Sequence, residues 1–443
     1  MEKQIYFIIL LLITLLAFGF TTRRLIGFFK LTKGGFPVKN IGRRFGIMME
    51  VAIGQTKIFR RPVLGLMHAL VFWGFCVILI GSVEMVLDGI LGKEKILAPL
   101  GGFYDFIMAS GDIFALIIAL AVLVFLFRRI FLNVKRYGGI EMKHISHLDA
   151  NIALTMIFLL MVSLLGMNTF YISSSMQAGV EVEGVYPVSK IISSWISMSG
   201  HSSHLLLEVS WWTHILLIFV FANYLPYSKH FHVFMSVPNV FLSRLEPLGK
   251  LDTMENVTKE VKIMMDPDQA FAAPAEGEEE EEPSRFGILD VEDVTWKNYF
   301  DSLSCTECGR CTSVCPANIT GKKLSPRKIV MDVRARMKEK GPGMVKNGLD
   351  YTDNKSLLRD YISEEELWAC TLCNACAQEC PININQPALI VGMRRFLVME
   401  ESAAPGELNA IFSNIENNGA PWQFSQEDRM LWAEDIMVNE TTS

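Results

Sequence analysis

The sequence CTECGRCTSVCP, at residues 305–316, repeats the cysteine spacing of CTLCNACAQECP at residues 370–381. Each run has the pattern C-x2-C-x2-C-x3-C-P, which is typical of [4Fe–4S] proteins. In such pairs, the first three cysteines of a run bind one cluster and the fourth binds the other cluster. The sequence therefore predicts two [4Fe–4S] clusters with these ligand sets: Cys305, Cys308, Cys311 and Cys380, and Cys370, Cys373, Cys376 and Cys315.

Disulfide bonds and a zinc site are the alternatives for these cysteines. Disulfides are disfavoured because the cysteines of each run are close in sequence and nothing else indicates a secreted domain. Zinc would require four ligands and would not explain the doubled triplet. The ninth cysteine, Cys76, lies in an apolar stretch, and we predict a small buried residue there with no role in the chemistry.

The chain as a whole has the composition of a membrane protein. Only 20% of the 443 residues are charged, and the mean hydropathy is +0.30. A helix of about 20 apolar residues crosses the hydrocarbon layer. Five runs predict five membrane spans: Ile5–Phe20, Val63–Val83, Phe114–Phe127, Ile152–Tyr171 and Leu205–Tyr227. We expect the first run to be a retained anchor and not a signal peptide, because Arg23 and Arg24 follow the apolar run.

Basic residues predict the orientation of these spans. Lysines and arginines are frequent in the loop 21–61, where Glu50 is the single acid, and again in the loop 128–143. Because cytoplasmic loops are enriched in Lys and Arg, both loops are predicted to be cytoplasmic. Five spans then place the N-terminus outside and the iron–sulfur part inside, which predicts a multi-pass protein of the inner (cytoplasmic) membrane.

Four histidines near the span ends are candidate haem ligands: His68, His214, His230 and His232. A histidine inside a membrane is usually a ligand or a proton relay, although a neighbouring carbonyl that satisfies the ring is the alternative. A b-type haem in a helical bundle takes histidines from two helices. His68 and His232 lie at the same depth, so we predict that they share one haem b, with room for the porphyrin at Gly65.

The stretch from Trp211 to Pro238 resembles the last span of the cytochrome b subunits of respiratory nitrate reductase and heterodisulfide reductase. The resemblance lies in WWTH at 211–214, LPYSKHFH at 225–232 and SVP at 236–238. It implies that His214 and His232 serve two stacked haems and that His68 is a further ligand. The family's other second-span histidine corresponds to Ile78, which cannot bind iron. Either one bis-histidine haem is present, or His214 holds a second haem with an unnamed partner.

The C-terminal half resembles the iron–sulfur subunit of heterodisulfide reductase in FG at 286–287, DVTWK at 293–297 and WACT at 368–371. Many relatives continue into a cysteine-rich domain with a Cys-Cys-Gly core, whereas no cysteine follows Cys380 here. The resemblance implies that this domain belongs to a separate cytoplasmic polypeptide, or that the partner is a flavoprotein. A succinate-dehydrogenase-like complex would also need ligands for a [2Fe–2S] cluster, and no cysteines are left for it.

Local signals predict a helical iron–sulfur part. Ser325-Pro326 predicts a helix start, Gly341-Pro342 predicts its end, and Ser363 with Glu366 predicts a capping box. The predicted fold is all-α, a five-span transmembrane bundle followed by an α-helical dicluster ferredoxin domain. The predicted segments are a membrane cytochrome b-like domain at 1–240, a linker with the acidic run Glu278–Glu282 at 241–285, the two-cluster domain at 286–400, and a tail at 401–443 that docks a partner or packs on the core.

These features predict a membrane-bound electron-transfer subunit. It would pass electrons between the quinone pool, via haem b, and two [4Fe–4S] clusters, to or from a cytoplasmic heterodisulfide-reductase-like or flavoprotein subunit. The alternative is a membrane-anchored iron–sulfur carrier without haem that serves the assembly of a complex. Membrane lipid is a further partner, and no nucleic acid is expected. Four residues are candidates for proton exchange with the quinone or for simple surface contacts: Glu84, Glu208, His201 and His204.

Overall fold

The computed structural model describes residues 2–196, 198–266 and 285–434. In these ranges the chain is all-α. Its β-type pairing there consists of two isolated bridges, Lys33 with Thr295 and Leu358 with Ile362. The predicted fold class is thereby confirmed. The acidic run Glu278–Glu282, predicted to be a linker, lies outside the described residues.

The chain forms two compact units. The first combines Met1–Asp252 with Asp290–Leu389, and the second combines Thr253–Leu289 with Ile390–Ser443. The membrane half and the cysteine motifs therefore belong to one unit. The segment boundaries predicted at residues 240, 285 and 400 stay predictions.

The membrane half of the first unit is built from long helices. Its described α-helices are α1 Glu2–Phe29, α2 Ile41–Ile47, α3 Pro62–Leu91, α4 Gly102–Phe131, α5 His144–Ala178, α6 Pro187–Trp195, α7 Gly200–Tyr224 and α8 His232–Phe241. Five of them, α1, α3, α4, α5 and α7 with the turn that follows it, are long and apolar enough to cross a membrane, so the five predicted spans are confirmed. They are longer than the apolar runs because polar residues continue each helix at its ends.

Small residues bring the central spans close together. Ala115 and Ala119 of α4 are buried against Leu160 and Leu165 of α5. A Cβ atom on Gly74 of α3 would lie 2.7 Å from the Phe114 ring, so only glycine fits there. Small side chains at such contacts let helix backbones approach closely, which is how spans associate where lipid supplies no hydrophobic drive.

A buried carboxylate connects three helices of the bundle. Asp112 of α4 is 1% exposed and accepts hydrogen bonds from Asn168 Nδ2 of α5 at 3.1 Å and from the backbone N–H groups of Val188 and Ser189 at 2.8 and 3.0 Å. These two N–H groups open α6, where a negative charge is favourable. Asp112 thus fixes α6 against the spans, a role that no local pattern in the sequence indicated.

Cys76 differs from its prediction. It lies in α3, but its side chain is exposed on the surface of the span. An apolar run in a membrane protein does not distinguish core from lipid, because both are apolar, so burial could not be predicted from the run alone.

Shorter helices follow the membrane half. They are α9 Glu255–Met265, α10 Trp296–Ser304, α11 Arg310–Ser313, α12 Pro316–Ile319, α13 Pro326–Asn347, α14 Glu364–Trp368, α15 Ala375–Glu379, α16 Gln386–Met399 and α17 Gly406–Asn418. Two predicted starts are confirmed, because Ser325 caps α13 and Ser363 with Glu366 forms a capping box on α14. The predicted end at Gly341-Pro342 is wrong, because α13 continues to Asn347 with Gly341 packed against the Phe28 ring of α1.

Candidate redox-centre site

The eight motif cysteines converge in two groups. The thiols that interact electrostatically are Cys305, Cys308, Cys311 and Cys380 in the first group, and Cys315, Cys370, Cys373 and Cys376 in the second group. Cys311 also interacts with Cys376, so the groups are neighbours. All nine cysteines lie in the described ranges, and none of them forms a disulfide. In each group the fourth thiol comes from the opposite run, and the assignment of these thiols as cluster ligands stays a prediction.

The donor set of each group, four thiols, suits a multi-iron cluster. Within the described ranges, no three His, Cys, Asp or Glu side chains are close enough to hold a single metal ion. A [4Fe–4S] cluster takes four thiolates, and each of them binds a different iron, so its ligands stand further apart. Backbone N–H groups of Leu372 and Ile384 donate to Cys370 Sγ and Cys380 Sγ, each at 3.4 Å. Hydrogen bonds of this kind tune the reduction potential of a bound cluster.

The thiols lie in surroundings that disfavour free thiolates. Burial raises the pKa of Cys305 to about 11 and the pKa of Cys376 and of Cys380 to about 12. Because a coordinated metal deprotonates a thiol outright, bound iron would supply the positive charge that such buried sulfurs need. The donor set and its burial therefore fit the two clusters.

Three predicted histidines have one ring nitrogen already engaged. The Nδ1 atoms lie at hydrogen-bond distance from Gln55 Oε1 (3.2 Å) for His68, Leu160 O (3.0 Å) for His214 and Lys229 O (3.3 Å) for His232. An Nδ1–H group that donates to oxygen fixes the tautomer and leaves Nε2 as the free lone pair. Metal-binding histidines commonly have this second hydrogen bond.

The structure brings three of the four histidines together. His68 is within electrostatic range of His232, and the ring centroids of His230 and His232 are 5.9 Å apart. Burial lowers the pKa of His232 to about 4 and the pKa of His230 to about 3, so both rings are neutral at physiological pH. The Nδ1 atom of His230 lies 3.0 Å from Ser228 Oγ. His214 is not part of this group, because it lies deeper in α7 beside α5.

Gly65 does not leave room for a porphyrin. A Cβ atom there would lie 2.6 Å from the carbonyl oxygen of Ile58, because the turn Ile58–Arg60 folds back onto the first turn of α3. A different feature fits a haem. In the described part of the chain, the Nε and Nη1 atoms of Arg136 are buried without a hydrogen-bond partner. Arg136 is within electrostatic range of Arg310, which in turn is within range of His68, and an unpaired guanidinium is suited to a carboxylate.

A cavity of about 330 Å³ lies among the spans and away from the cysteines. Glu84, Glu208, His214 and Ile78 are among its lining residues. Tyr104 Oη donates to Glu84 Oε2 at 3.3 Å. The two predicted acids are thus brought to one cavity.

Two further residues predicted for proton exchange do not reach this cavity. His201 and His204 are exposed at the start of α7. Sequence reasoning missed Lys3, which lines the cavity and forms an ion pair of 2.7 Å with Glu208. A lysine at the first turn of an apolar helix was the available signal, but its partner is 205 positions away in the sequence.

The comparisons with known proteins support the iron–sulfur part of the chain. A family model described as a 4Fe-4S dicluster domain matches residues 304–384. EtfAB:quinone oxidoreductase of Syntrophomonas wolfei is 27% identical over 99% of this chain and 60% of that protein. Probable iron-sulfur-binding oxidoreductase FadF of Bacillus subtilis is 27% identical over 86% of this chain and 54% of that protein.

A shorter match links the chain to another class of redox protein. A CoB-CoM heterodisulfide reductase subunit of Methanosarcina acetivorans, named as dependent on ferredoxin or F(420)H(2), is 35% identical over 24% of this chain and 52% of that protein. The chain spans a little more than half the length of the FadF and EtfAB:quinone oxidoreductase relatives. No solved structure matches the chain. The chain is therefore a homologue of iron–sulfur oxidoreductases and of heterodisulfide reductase subunits, and its C-terminal part contains a domain for two [4Fe–4S] clusters.

Proposed function

We propose that this chain passes electrons between a quinone in the membrane and a separate redox partner in the cytoplasm. The observation that carries the proposal is that one compact unit contains both the five membrane-spanning helices and both cysteine motifs. When bound, the clusters and a haem supply one-electron carriers between two-electron reactants. The eight motif cysteines hold the clusters, and His68 and His232 hold one haem b.

The hydrogen bonds of the histidines support this haem assignment. His68 on α3 and His232 at the start of α8 come from two different helices, and the hydrogen bond of each Nδ1 atom to an oxygen leaves Nε2 as the nitrogen with the lone pair. The unpaired Nε and Nη1 atoms of Arg136 are suited to the haem carboxylates. His214 has the same kind of Nδ1 hydrogen bond, but Ile78 lines the same cavity. We therefore propose one bis-histidine haem and assign the cavity beside His214 as the quinone-binding site.

The cavity has the features of a site for a quinone head group. Ligand sites are mostly apolar and have a few polar groups that fix the orientation of the ligand. Here apolar side chains of α1, α3 and α7 surround Glu84 and Glu208, and acids inside a membrane commonly mark a proton pathway. Reduction or oxidation of a quinone moves protons as well as electrons, and these two carboxylates are placed to exchange them.

The names of the relatives support the two reactants. One relative is named for EtfAB and quinone, and others are named as heterodisulfide reductase subunits. We therefore keep a flavoprotein or a heterodisulfide-reductase-like subunit as the proposed partner. The basic loops 21–61 and 128–143 support a cytoplasmic location for the cysteine motifs.

Anaerobically purified protein should contain about eight cluster irons and one b haem per chain, because we propose two [4Fe–4S] clusters and one bis-histidine haem. Quinol should reduce the haem in a reduced-minus-oxidised spectrum. His68→Ala and His232→Ala should each abolish the b-type absorbance, since each removes an axial ligand. His201→Ala changes an exposed histidine and should leave the spectrum unchanged.

Clusters without haem would overturn the quinone-linked proposal. That result would favour the membrane-anchored iron–sulfur carrier. Unchanged b-type absorbance in both ligand variants would overturn the assignment of His68 and His232.

Filling the cavity should block the reaction with quinol and nothing else. Gly81 lines the cavity, and the nearest atom to a Cβ there is Met108 Cε at 3.9 Å, so Gly81→Leu projects into open space. We expect quinol-driven reduction to fall at least about tenfold, a loss of about 1.4 kcal/mol in binding. Dithionite should still reduce the clusters fully, because it does not need the cavity.

Gly19→Leu is the matched control for this variant. Gly19 also lies in a span with no atom within 4 Å of its Cβ position, but it does not line the cavity. Equal rates of quinol-driven reduction in wild type and Gly81→Leu would show that the quinone binds elsewhere.

A further inference from the structure

We propose that the two ligand sets have fixed and different positions in the electron-transfer path. The first group, Cys305, Cys308, Cys311 and Cys380, faces the membrane half, and Arg310 is the positioning residue that holds it there. The second group, Cys315, Cys370, Cys373 and Cys376, faces the soluble partner. This inference rests on the proposed function, because the order has meaning only if electrons pass between the membrane and a partner.

The two cysteine runs have the same backbone but different side chains. The residue before the second cysteine has a φ of 57° at Glu307 and 53° at Leu372, and the residue after it has a φ of 72° at Gly309 and 59° at Asn374. Gly309 cannot be replaced by a larger residue, because a Cβ there would lie 2.4 Å from the carbonyl oxygen of Arg136. The first run is therefore pressed against the loop after α4, whereas the second run has a side chain at the same position.

Arg310 joins the first group to the loop 55–61 that precedes α3. Its Nη1 and Nη2 atoms donate to the carbonyl oxygens of Lys57 at 2.9 Å and Ile58 at 3.4 Å. The same loop supplies Gln55, whose Oε1 atom lies 3.2 Å from His68 Nδ1. One short loop thus contacts both the first cysteine run and the proposed haem ligand.

The fourth ligand of the first group reaches the same loop. Lys57 Nζ donates to the carbonyl oxygen of Cys380 at 3.3 Å, and Arg60 Nη1 lies 3.2 Å from Glu379 Oε2. Two segments that are far apart in sequence, one from each run, therefore bind the loop 55–61. One segment contains Arg310, which adjoins the ligand Cys311, and the other contains the ligand Cys380.

The second group has no equivalent of Arg310. The matching position is Ala375, whose side chain cannot form such hydrogen bonds. Arg310 is 7% exposed, whereas Thr371 and Cys373 are exposed and Leu372 is half-buried. A ligand and a flanking residue that are accessible to solvent let a redox partner approach the second cluster, which the buried Arg310 side does not allow.

Relaxation of EPR signals measures the position of each cluster without enzyme turnover. Cys308→Ser leaves only the second cluster and Cys373→Ser leaves only the first, and the EPR signal of each reduced variant is recorded with a soluble dysprosium chelate. We expect the chelate to relax the signal that remains in Cys308→Ser at least about threefold more than the signal that remains in Cys373→Ser. In wild-type protein, one of two reduced signals should be relaxed more than the other. Equal relaxation, or the opposite order, would overturn the proposal.

Redox titration of Arg310→Gln tests the positioning residue. Loss of a positive charge disfavours the more negative, reduced cluster, so the reduced-to-oxidised ratio of the first cluster at a fixed potential should fall about tenfold, a shift of about 59 mV for one electron. The second cluster should not shift. Arg310→Lys should recover most of the change, and Ala375→Gln is the matched control with no effect on the first cluster.

Equal shifts of the reduction potentials of both clusters, or no shift of either, would overturn the role of Arg310.

The outcomes of the relaxation experiment can be told apart from a failure of the proposed function. A protein without haem or quinol-driven reduction can still show unequal relaxation by the chelate, and a quinol-reducible protein can show equal relaxation.

Discussion

Replacing Cys380 by serine should remove the cluster that also depends on Cys305 and Cys308, although Cys380 belongs to the other run of the sequence. The Cys380 thiol is buried and interacts with these two thiols, and its sulfur accepts a hydrogen bond from Ile384 N–H at 3.4 Å. A hydroxyl in its place is a poor ligand for iron. We expect about half of the cluster iron to be lost, and EPR of the reduced protein should show the spectrum of Cys308→Ser.

Cys315→Ser provides the reciprocal test. It should give the spectrum of Cys373→Ser, because the Cys376 thiol interacts with both Cys315 and Cys373. Cys76→Ser, at an exposed position on α3, should retain both clusters and serves as the control. If Cys380→Ser instead lost the same signal as Cys373→Ser, each run would bind its own cluster and the exchange of the fourth ligand would be wrong.

Local patterns explain why so much of the fold could be predicted. Cysteine spacing and the following proline are set within twelve residues, and a span needs only a continuous apolar run. The capping box of Ser363 and Glu366 is local in the same way. The predicted helix end at Gly341-Pro342 failed because Gly341 packs against Phe28, a residue more than 300 positions away. A local signal is reliable until a distant contact overrides it.

The site depends on side-chain pairs that spacing does not reveal. Gln55 engages His68, and Lys3 pairs with Glu208 from opposite ends of the membrane half. The same holds for Asp112, which is satisfied by residues of α5 and α6. Each of these residues is polar and unremarkable in its own stretch of sequence. Two features therefore became visible only in the folded chain: the cavity among the spans, and the contact of the loop 55–61 with the first cysteine group.

Replacing Arg327 by methionine should strongly destabilise the contact between the cysteine-bearing part and the membrane half. Arg327 Nη2 lies 2.6 Å from Glu141 Oε1, and the two side chains are 1% and 3% exposed. The guanidinium also donates to the carbonyl oxygens of Arg136 at 2.8 Å and Gly138 at 2.7 Å. Removing one partner of a buried pair leaves an uncompensated charge, which costs about 3–5 kcal/mol. Thermal unfolding in detergent should show the loss as a lower Tm.

A double replacement distinguishes a buried charge effect from a simple loss of packing. Arg327→Met with Glu141→Met removes both charges, so it should recover much of the Tm that Arg327→Met loses. Lys323→Met is the matched control, because Lys323 and Glu365 form an exposed pair, with side chains 64% and 56% exposed, and such pairs contribute about 1 kcal/mol or less. If Arg327→Met and Lys323→Met had equal effects, the buried pair would not hold the two parts together. If the double variant were no more stable than Arg327→Met, the backbone hydrogen bonds of the guanidinium, and not its charge, would account for the stability of this contact.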